Sequence, residues 1–273
     1  MSEPTITSRS NPLVKRIRAL EQRKHRDSEG AFFVEGIRPV WQAVEGRAPI
    51  ETLIVAPELL TSAPARDMIE AQRSAGTRVV EVTAPVFETI AEREHPSGLG
   101  AIVRAGLVTL DDLVVESRSF FVALEDTGNP GNLGTIIRTV DGAGGSGVIL
   151  IGAGTDPYHP TAVKASMGTL FRVPLARAGD LSSVAGWFRS RGLRLVTTSS
   201  RAPVVYWSAP LRPPLVLLFG SEGEGLTDRE WEGGDLAVRI PMSGSADSLN
   251  LAVSVGILLY EVRRQQDLQP VSG

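Results

Sequence analysis

From one end of the chain to the other, short apolar runs alternate with amphipathic stretches. Within Asn11–Lys24, Leu13, Ile17 and Leu20 recur at helical spacing while the charges fall elsewhere, which predicts a surface helix. Ala31–Val34 then reads as a strand, Ile37–Val44 as a helix, Glu51–Val55 as a strand and the stretch near Ala65–Ala75 as a helix. Arg78–Val82 reads as a strand, the region near Val86–Ala91 as a short helix and Gly100–Arg104 as a strand. This alternation predicts a small α/β domain over residues 1–105, its helices covering a sheet.

Residues 106–118 read as a linker, because Asp111, Asp112, Glu116 and Arg118 interrupt the apolar pattern. The alternation then restarts and defines a second domain over 119–273. Strands are predicted at Phe120–Leu124, Val148–Ile151, Leu193–Thr197, Leu215–Phe219 and Ala237–Ile240. Helices are predicted at Leu133–Ala143, Thr161–Met167, Leu181–Arg191, Thr227–Trp231 and Leu249–Arg263. Strands that are apolar without alternation are buried on both faces, so the sheet is expected to be mainly parallel.

Composition narrows the chemistry. At 273 residues there is room for two compact domains. The longest apolar run, Leu215–Phe219, is too short to span a bilayer, and no secretory leader is read at the N-terminus, so the cytoplasm is expected. With no cysteine, disulfides, thiolate metal sites and a cysteine nucleophile are excluded. His25, His95 and His159 lack metal-ligand spacing, so no metal is expected.

The net charge of −3 argues against a nucleic-acid binder until its distribution is considered. Arg9, Lys15, Arg16, Arg18, Arg23, Lys24 and Arg26 stand against the single acid Glu21. Such a basic arm can engage phosphates on an otherwise acidic protein. Arg38 is a further candidate RNA contact; a solvated helix face is the competing reading of the arm.

Three Gly-containing turns carry candidate chemistry. After the Phe120 strand comes Asp126-Thr127-Gly128-Asn129-Pro130-Gly131-Asn132-Leu133-Gly134, with Arg138 four residues on. Asn132 sits where a helix N-cap is expected, and Arg138 is expected to lean back over Gly134 toward it, making an anion site at the helix start. The second turn is Phe219-Gly220-Ser221-Glu222-Gly223-Glu224-Gly225-Leu226, at the carboxyl end of an apolar strand where open α/β sheets bind ligands. Lacking a Lys-Ser or Lys-Thr pair, it is not a P-loop. The third runs from Ile240-Pro241-Met242 to Ser248-Leu249-Asn250, with Ser248 expected to cap the last helix. Gly142-Ala143-Gly144-Gly145-Ser146-Gly147 matches a dinucleotide fingerprint, but it follows a helix and precedes a strand. That order is the reverse of the required one, so a helix-to-strand turn is the better reading.

Together these segments resemble the SpoU (TrmH-type) ribose 2′-O-methyltransferases of the SPOUT superfamily. Asn129, Pro130, Asn132, Gly134 and Arg138 are similar to that family's first motif, Gly220–Leu226 to its Gly-x-Glu-x-x-Gly element, and Ile240-Pro241-Met242 with Ser248-Leu249-Asn250 to its last. Asp156-Pro157-Tyr158 and Lys164-Ala165-Ser166-Met167-Gly168 resemble its connecting segment, although Arg is commoner at position 164. Phe32-Phe33-Val34-Glu35-Gly36 and His95-Pro96-Ser97-Gly98 resemble the ribosomal-protein-like substrate-binding domain of many members, with Ser97 in place of a usual Gln.

The resemblance implies a C-terminal SPOUT domain with a deep trefoil knot, a homodimer and S-adenosylmethionine as cofactor. It implies Asn132, Arg138, Glu222, Ser248 and Asn250 as catalytic candidates. It places the cofactor near Thr198, Phe219, Gly220, Ile240, Met242, Ser248 and Leu249. The implied substrate is a ribose 2′-hydroxyl in structured RNA, with 23S ribosomal RNA favoured. A tRNA 2′-O-methyltransferase and a non-catalytic RNA-binding or ribosome-associated protein are the alternatives, and an antibiotic-resistance role is left open. The family's proposal that the Arg acts as base is chemically awkward, since a guanidinium loses its proton only above about pH 12. Binding the neighbouring phosphate suits Arg138 better. The missing cysteine is compatible with this target, because ribose oxygen, unlike pyrimidine C5, needs no covalent activation.

Overall fold

A computed structural model describes residues 4–92 and 94–267. Contacts divide the chain into two compact units, one formed by residues 1–106 and 158–171, the other by 107–157 and 172–273.

The first unit holds helices α1 (Pro12–Ala19), α2 (Arg23–Glu29), α3 (Ile37–Glu45), α4 (Ala63–Ser74) and α5 (Ala84–Phe87). Its sheet comprises β1 (Ala31–Glu35), β2 (Ile50–Val55), β3 (Arg78–Glu81) and β4 (Leu99–Arg104), in the order β1-β4-β2-β3. β4 is antiparallel to both neighbours, and β2 and β3 are parallel. The predicted single helix over Asn11–Lys24 is two, broken at Leu20–Gln22. Leu20 is buried there, and Arg26 folds back to donate to the carbonyls of Leu20 and Glu21 at 2.7 Å each.

In the second unit β5 (Phe120–Glu125), α6 (Pro130–Ala143) and β6 (Gly147–Ile151) come first. The next helix, α7 (Pro160–Ser166), packs within the first unit, where Tyr158 stacks on Phe32 with ring centroids 4.5 Å apart. The sequence places this helix inside the second domain; an apolar anchor two residues before it decides otherwise. The unit continues through β7 (Leu175–Ala178), α8 (Leu181–Ser190), β8 (Arg194–Thr198), β9 (Val204–Val205), β10 (Leu215–Phe219), α9 (Asp228–Glu232), β11 (Leu236–Arg239) and α10 (Leu251–Asp267). β7 and β9 have no counterpart in the sequence reading. Both are short and stand at the two ends of the sheet order, where β7 meets only a single bridge, Val108 to Ala176, on its outer side.

All pairs in this seven-stranded sheet are parallel, in the order β7-β6-β5-β10-β8-β11-β9. Phe121, Ala123, Ile149, Ile151, Val216 and Leu218 pack with Val184 and Phe188 of α8. The alternate residues Val122, Leu124, Val148, Leu150 and Leu217 are equally buried, and α6 and α10 pack on each other and on β6 and β10 respectively. Both faces are thus covered, as a parallel sheet requires.

The segment expected to be a linker belongs partly to this core. Leu113 is buried among its residues with Val108, Leu110 and Val115 against it, while Asp111 accepts hydrogen bonds from Trp187 and Arg191. Of the charges that suggested a linker, Asp111 and Asp112 sit on a single 3-10 turn, Leu110–Asp112, and Glu116 and Arg118 follow it as exposed residues.

Candidate active site

Parallel strands deliver their carboxyl ends to one edge of the sheet. Thr198 ends β8, Phe219 ends β10 and Ile240 follows β11, and these three strands are neighbours. A cavity of about 580 Å³ opens there, within the roughly 300–1,000 Å³ typical of small-molecule sites. Thr198, Phe219, Gly220, Ile240, Met242, Ser248 and Leu249 all line it, as do Asn132, Glu222 and Asn250. Ser199, Ser200, Ser221, Glu224, Asp247 and Ser254 line it as well. No motif singled these out, although Ser221 and Glu224 lie inside the Gly-rich turn.

That turn is shaped by what cannot be added to it. A Cβ on Gly220 would stand 2.2 Å from the carbonyl carbon of Gly225 and 2.4 Å from the nitrogen of Leu226. Gly225, at φ +70°, donates its N–H to the Ser221 carbonyl at 3.0 Å and closes the loop. Thr198 donates its hydroxyl to the Leu218 carbonyl at 3.0 Å, which fixes the adjoining wall.

The first motif folds differently from its expected form. Asn129, not Asn132, caps α6; its Oδ1 accepts from the N–H groups of Gly131 and Asn132 at 2.8 and 3.1 Å. Pro130 tolerates the first helical position because its missing N–H would have no partner there. Asn132 is thereby released to face the cavity, where its Nδ2 donates to Glu222 Oε1 at 2.6 Å. Its Oδ1 accepts from Asn250 Nδ2 at 3.1 Å. Asn250 also caps α10, Oδ1 accepting from the N–H of Ala252 at 2.9 Å, so the expected cap at Ser248 is corrected to Asn250. One residue from each of the three motifs therefore meets in one hydrogen-bonded cluster.

Arg138 is outside that cluster and does not line the cavity. Six positions separate it from Asn132, which on an α-helix is a rotation of about 120° to another face. Its exposed side chain forms no ion pair among the described residues.

Glu222, Glu224 and Asp247 surround the cavity with carboxylates, and among the described residues its lining holds no Lys or Arg. The site is therefore suited to a cationic or neutral ligand rather than a phosphorylated one. At the nearby end of β5, burial, with Glu230 and Asp126 adding repulsion, pushes the Glu125 carboxyl above its ordinary value. A raised carboxyl favours the protonated fold, so its contribution to stability is lost as pH rises through the carboxylate range. Glu125→Gln is expected to raise Tm slightly at pH 7 and to have no such effect at pH 4; a lower Tm at pH 7, measured by calorimetry, would contradict this.

The basic arm of the first unit is less uniform than its sequence. Arg26 is only 3% exposed and spends its guanidinium on backbone carbonyls, which removes it as a phosphate contact. Arg16 binds Glu29 at 2.6 Å and forks onto Glu51, whose carboxyl it holds below the usual range. Arg18 donates to the Thr89 carbonyl and Arg23 pairs with Asp27 at 3.4 Å. Arg9, Lys15, Lys24 and Arg38 are exposed.

A cofactor-sized cavity at the carboxyl edge of a fully parallel sheet, fenced by carboxylates and joined to an amide–carboxylate cluster, marks an α/β protein with a site for a small, non-phosphorylated ligand. Residues 119–260 match the SpoU rRNA Methylase family and residues 11–101 the MRM3-like substrate binding domain. The chain belongs to the SpoU rRNA methylase family. It is 32% identical to a 23S rRNA (uridine(2479)-2′-O)-methyltransferase of Streptomyces viridochromogenes, over 96% of this chain and 92% of that protein. It is 26% identical to the 23S rRNA (guanosine(2553)-2′-O)-methyltransferase of Bacillus subtilis, over 94% and 98%. The AdoMet-bound rRNA methyltransferase of Sinorhizobium meliloti superposes with a TM-score of 0.88 at 38% identity, covering 98% of this chain and 99% of that one.

Proposed function

We propose that this protein methylates a ribose 2′-hydroxyl of 23S ribosomal RNA with S-adenosylmethionine as donor. The observation that carries the reading is the Asn132–Glu222–Asn250 cluster, which joins all three family motifs at the mouth of one cavity. The residues present fit the cofactor: Phe219, Ile240 and Leu249 offer apolar contact to a purine, and the Gly220–Gly225 turn offers its backbone. Glu222, Glu224 and Asp247 favour a ligand that carries positive charge. When bound, the cofactor supplies a methyl group on an electrophilic sulfonium.

Displacement at such a methyl is in line, so the chain's own task is alignment of the attacking oxygen and management of its proton. Asn132 and Glu222 orient each other and hold a donor and an acceptor toward the incoming ribose, while Asn250 fixes the far side of the Asn132 amide. Ser248 contributes a hydroxyl at the same rim. Arg138, turned to another face of α6, lies on the side of the dimer contact, and in this reading it binds an RNA phosphate from there rather than taking the ribose proton.

The active form in this reading is a homodimer. Val253 and Tyr260 are 50% and 55% exposed on α10, beside the exposed side of α6 that carries Arg138, where Gly142 approaches the Tyr260 hydroxyl. Helix pairs that expose apolar side chains are suited to isologous contacts. The reaction belongs in the cytoplasm, with ribosomal RNA; among the described residues no helix is long and apolar enough to cross a membrane. Residues 1–105 act as the RNA-binding domain, 106–118 as the connection and 119–273 as the methyltransferase domain, with residues 158–171 docked on the former. The knotted path of the family suits the return of α10 to α6 after β11.

Mapping 2′-O-methylation across total RNA, with and without the gene, tests the function. Loss of one mark in 23S ribosomal RNA is expected. Loss of a tRNA mark would favour the tRNA alternative, and no change together with no S-adenosylmethionine binding by calorimetry would favour a non-catalytic RNA binder. Replacing Arg9, Lys15, Lys24 and Arg38 by Glu together is expected to weaken RNA binding by at least about tenfold and to flatten its salt dependence. Arg26→Lys is expected to cost stability and leave the salt slope unchanged.

A further inference from the structure

The segment that carries Asn132 is held in place by a loop that never reaches the cavity. β5 ends at Glu125, and the chain turns at Asp126, a non-glycine residue at φ +44°. Three residues later Asn129 starts α6. The path from Asp126 to Asn129 thus sets where Asn132 stands against Glu222.

That path is clasped by residues 152–155, which follow β6. Asp126 donates its N–H to the Ile151 carbonyl at 3.1 Å. Thr155 donates twice to the single carbonyl of Thr127, through its N–H at 2.8 Å and through its hydroxyl. Thr127 and Thr155 are both buried, at 3% and 8% exposure. There is no slack between the two segments: a Cβ on Gly152 would lie 2.3 Å from Asp126 Oδ1, and one on Gly154 3.0 Å from the Thr127 carbonyl oxygen.

The clasp itself is stapled from behind by Arg177 of β7. Its Nη1 donates to the Gly152 carbonyl and its Nη2 to the Thr155 carbonyl, both at 3.1 Å. One planar guanidinium therefore fixes both ends of a four-residue turn, a geometry that an ammonium on a flexible stem does not reproduce. Neither Arg177 nor Thr155 lines the cavity, whose walls come from β8, β10, β11, the strand-end turns and α10, with Asn132 from α6.

We propose that Thr155 and Arg177 are positioning residues for methyl transfer, acting through Thr127 and the start of α6 on the Asn132 amide. This rests on the reading of Asn132 as part of the methyl-transfer site. Alignment of reacting groups is sensitive to shifts on the order of 1 Å, which can cost about a hundredfold in rate. Of α6 and the clasped loop only Asn132 lines the cofactor cavity; the other lining residues do not rest on the clasp. Loosening the clasp therefore lowers kcat and leaves cofactor affinity in place.

The test compares Thr155→Val, Thr155→Ser, Arg177→Lys, Asn132→Ala and the Thr155→Val/Asn132→Ala double variant. Turnover is read on 23S ribosomal RNA transcripts, S-adenosylmethionine Kd by calorimetry and folding by Tm. Thr155→Val, nearly isosteric, is expected to lower kcat at least tenfold with Kd within twofold of the parent. Thr155→Ser, which keeps the hydroxyl, restores kcat to within threefold, and Arg177→Lys falls between the two. The double variant should be no slower than Asn132→Ala alone, because both changes act on one group. If Asn132→Ala is slow while Thr155→Val turns over normally, or if the two losses multiply, the positioning role is overturned and the site reading stands. If Asn132→Ala itself retains full turnover, the site reading fails and this inference falls with it. Should Thr155→Val not fold, Arg177→Lys and Thr155→Ser decide, and a parallel loss of Kd and kcat in Arg177→Lys counts against the proposal.

Discussion

Gly220→Ala is expected to weaken cofactor binding by up to roughly a hundredfold while the rest of the fold survives. The added Cβ would stand 2.2 Å from the carbonyl carbon of Gly225, 2.3 Å from its oxygen and 2.4 Å from the nitrogen of Leu226. All three are backbone atoms in a turn closed by the Ser221–Gly225 hydrogen bond, so no side-chain rotation relieves the overlap. Moving the turn outward opens that bond and displaces Glu222 from Asn132. Overpacking costs about 1–3 kcal/mol, and at the upper end that weakens S-adenosylmethionine Kd roughly a hundredfold. Calorimetric titration of a variant with a cooperative thermal transition checks this. Binding within threefold of the parent would mean that the turn can shift without harm to the site.

Asn132→Asp is the second large effect, and it acts on turnover. The substitution keeps the shape of the side chain but converts a donor 2.6 Å from Glu222 into a second carboxylate. A favourable hydrogen bond becomes a like-charge contact, and the acceptor side still faces Asn250 Nδ2 at 3.1 Å. Removal of one preorganised donor at a reacting centre costs roughly 10²–10³ in kcat, and a loss of that order is expected here. Single-turnover methylation of ribosomal RNA measures it. A rate within threefold of the parent at pH 8 would remove the Asn132–Glu222 pair from the chemistry.

Much of the fold is legible in the chain because its strands are unambiguous. Phe120–Leu124, Val148–Ile151 and Leu215–Phe219 have almost no polar residue to dilute the signal, and each is a strand within one residue of the predicted limits. Gly142–Gly147 is the turn from α6 to β6, with Gly144 left-handed at the helix end, as its order in the chain implied. The failures share a cause. β9 has two residues, too few for any period, and Leu113 reads as linker because one buried side chain among charges has no periodicity at all.

For the site, the chain alone determined which segments matter: residue type and order around Asn132, Gly220–Leu226 and Ser248–Asn250 resemble one family, and all three line the cavity. Which partner each residue bonds was decided only by the folded chain. Asn132 and Ser248 read locally as caps, yet Asn129 and Asn250 do that work, because a cap is chosen by the backbone path into the helix and not by residue type. Arg138 reads as a neighbour of Asn132, yet helical rotation turns it to another face. Arg16 and Arg26 read as phosphate contacts, yet carboxylates and carbonyls distant in sequence or hidden behind a chain turn claim them. Local sequence records what a side chain can bond to; its actual partner is the group the tertiary structure brings within about 3 Å of it.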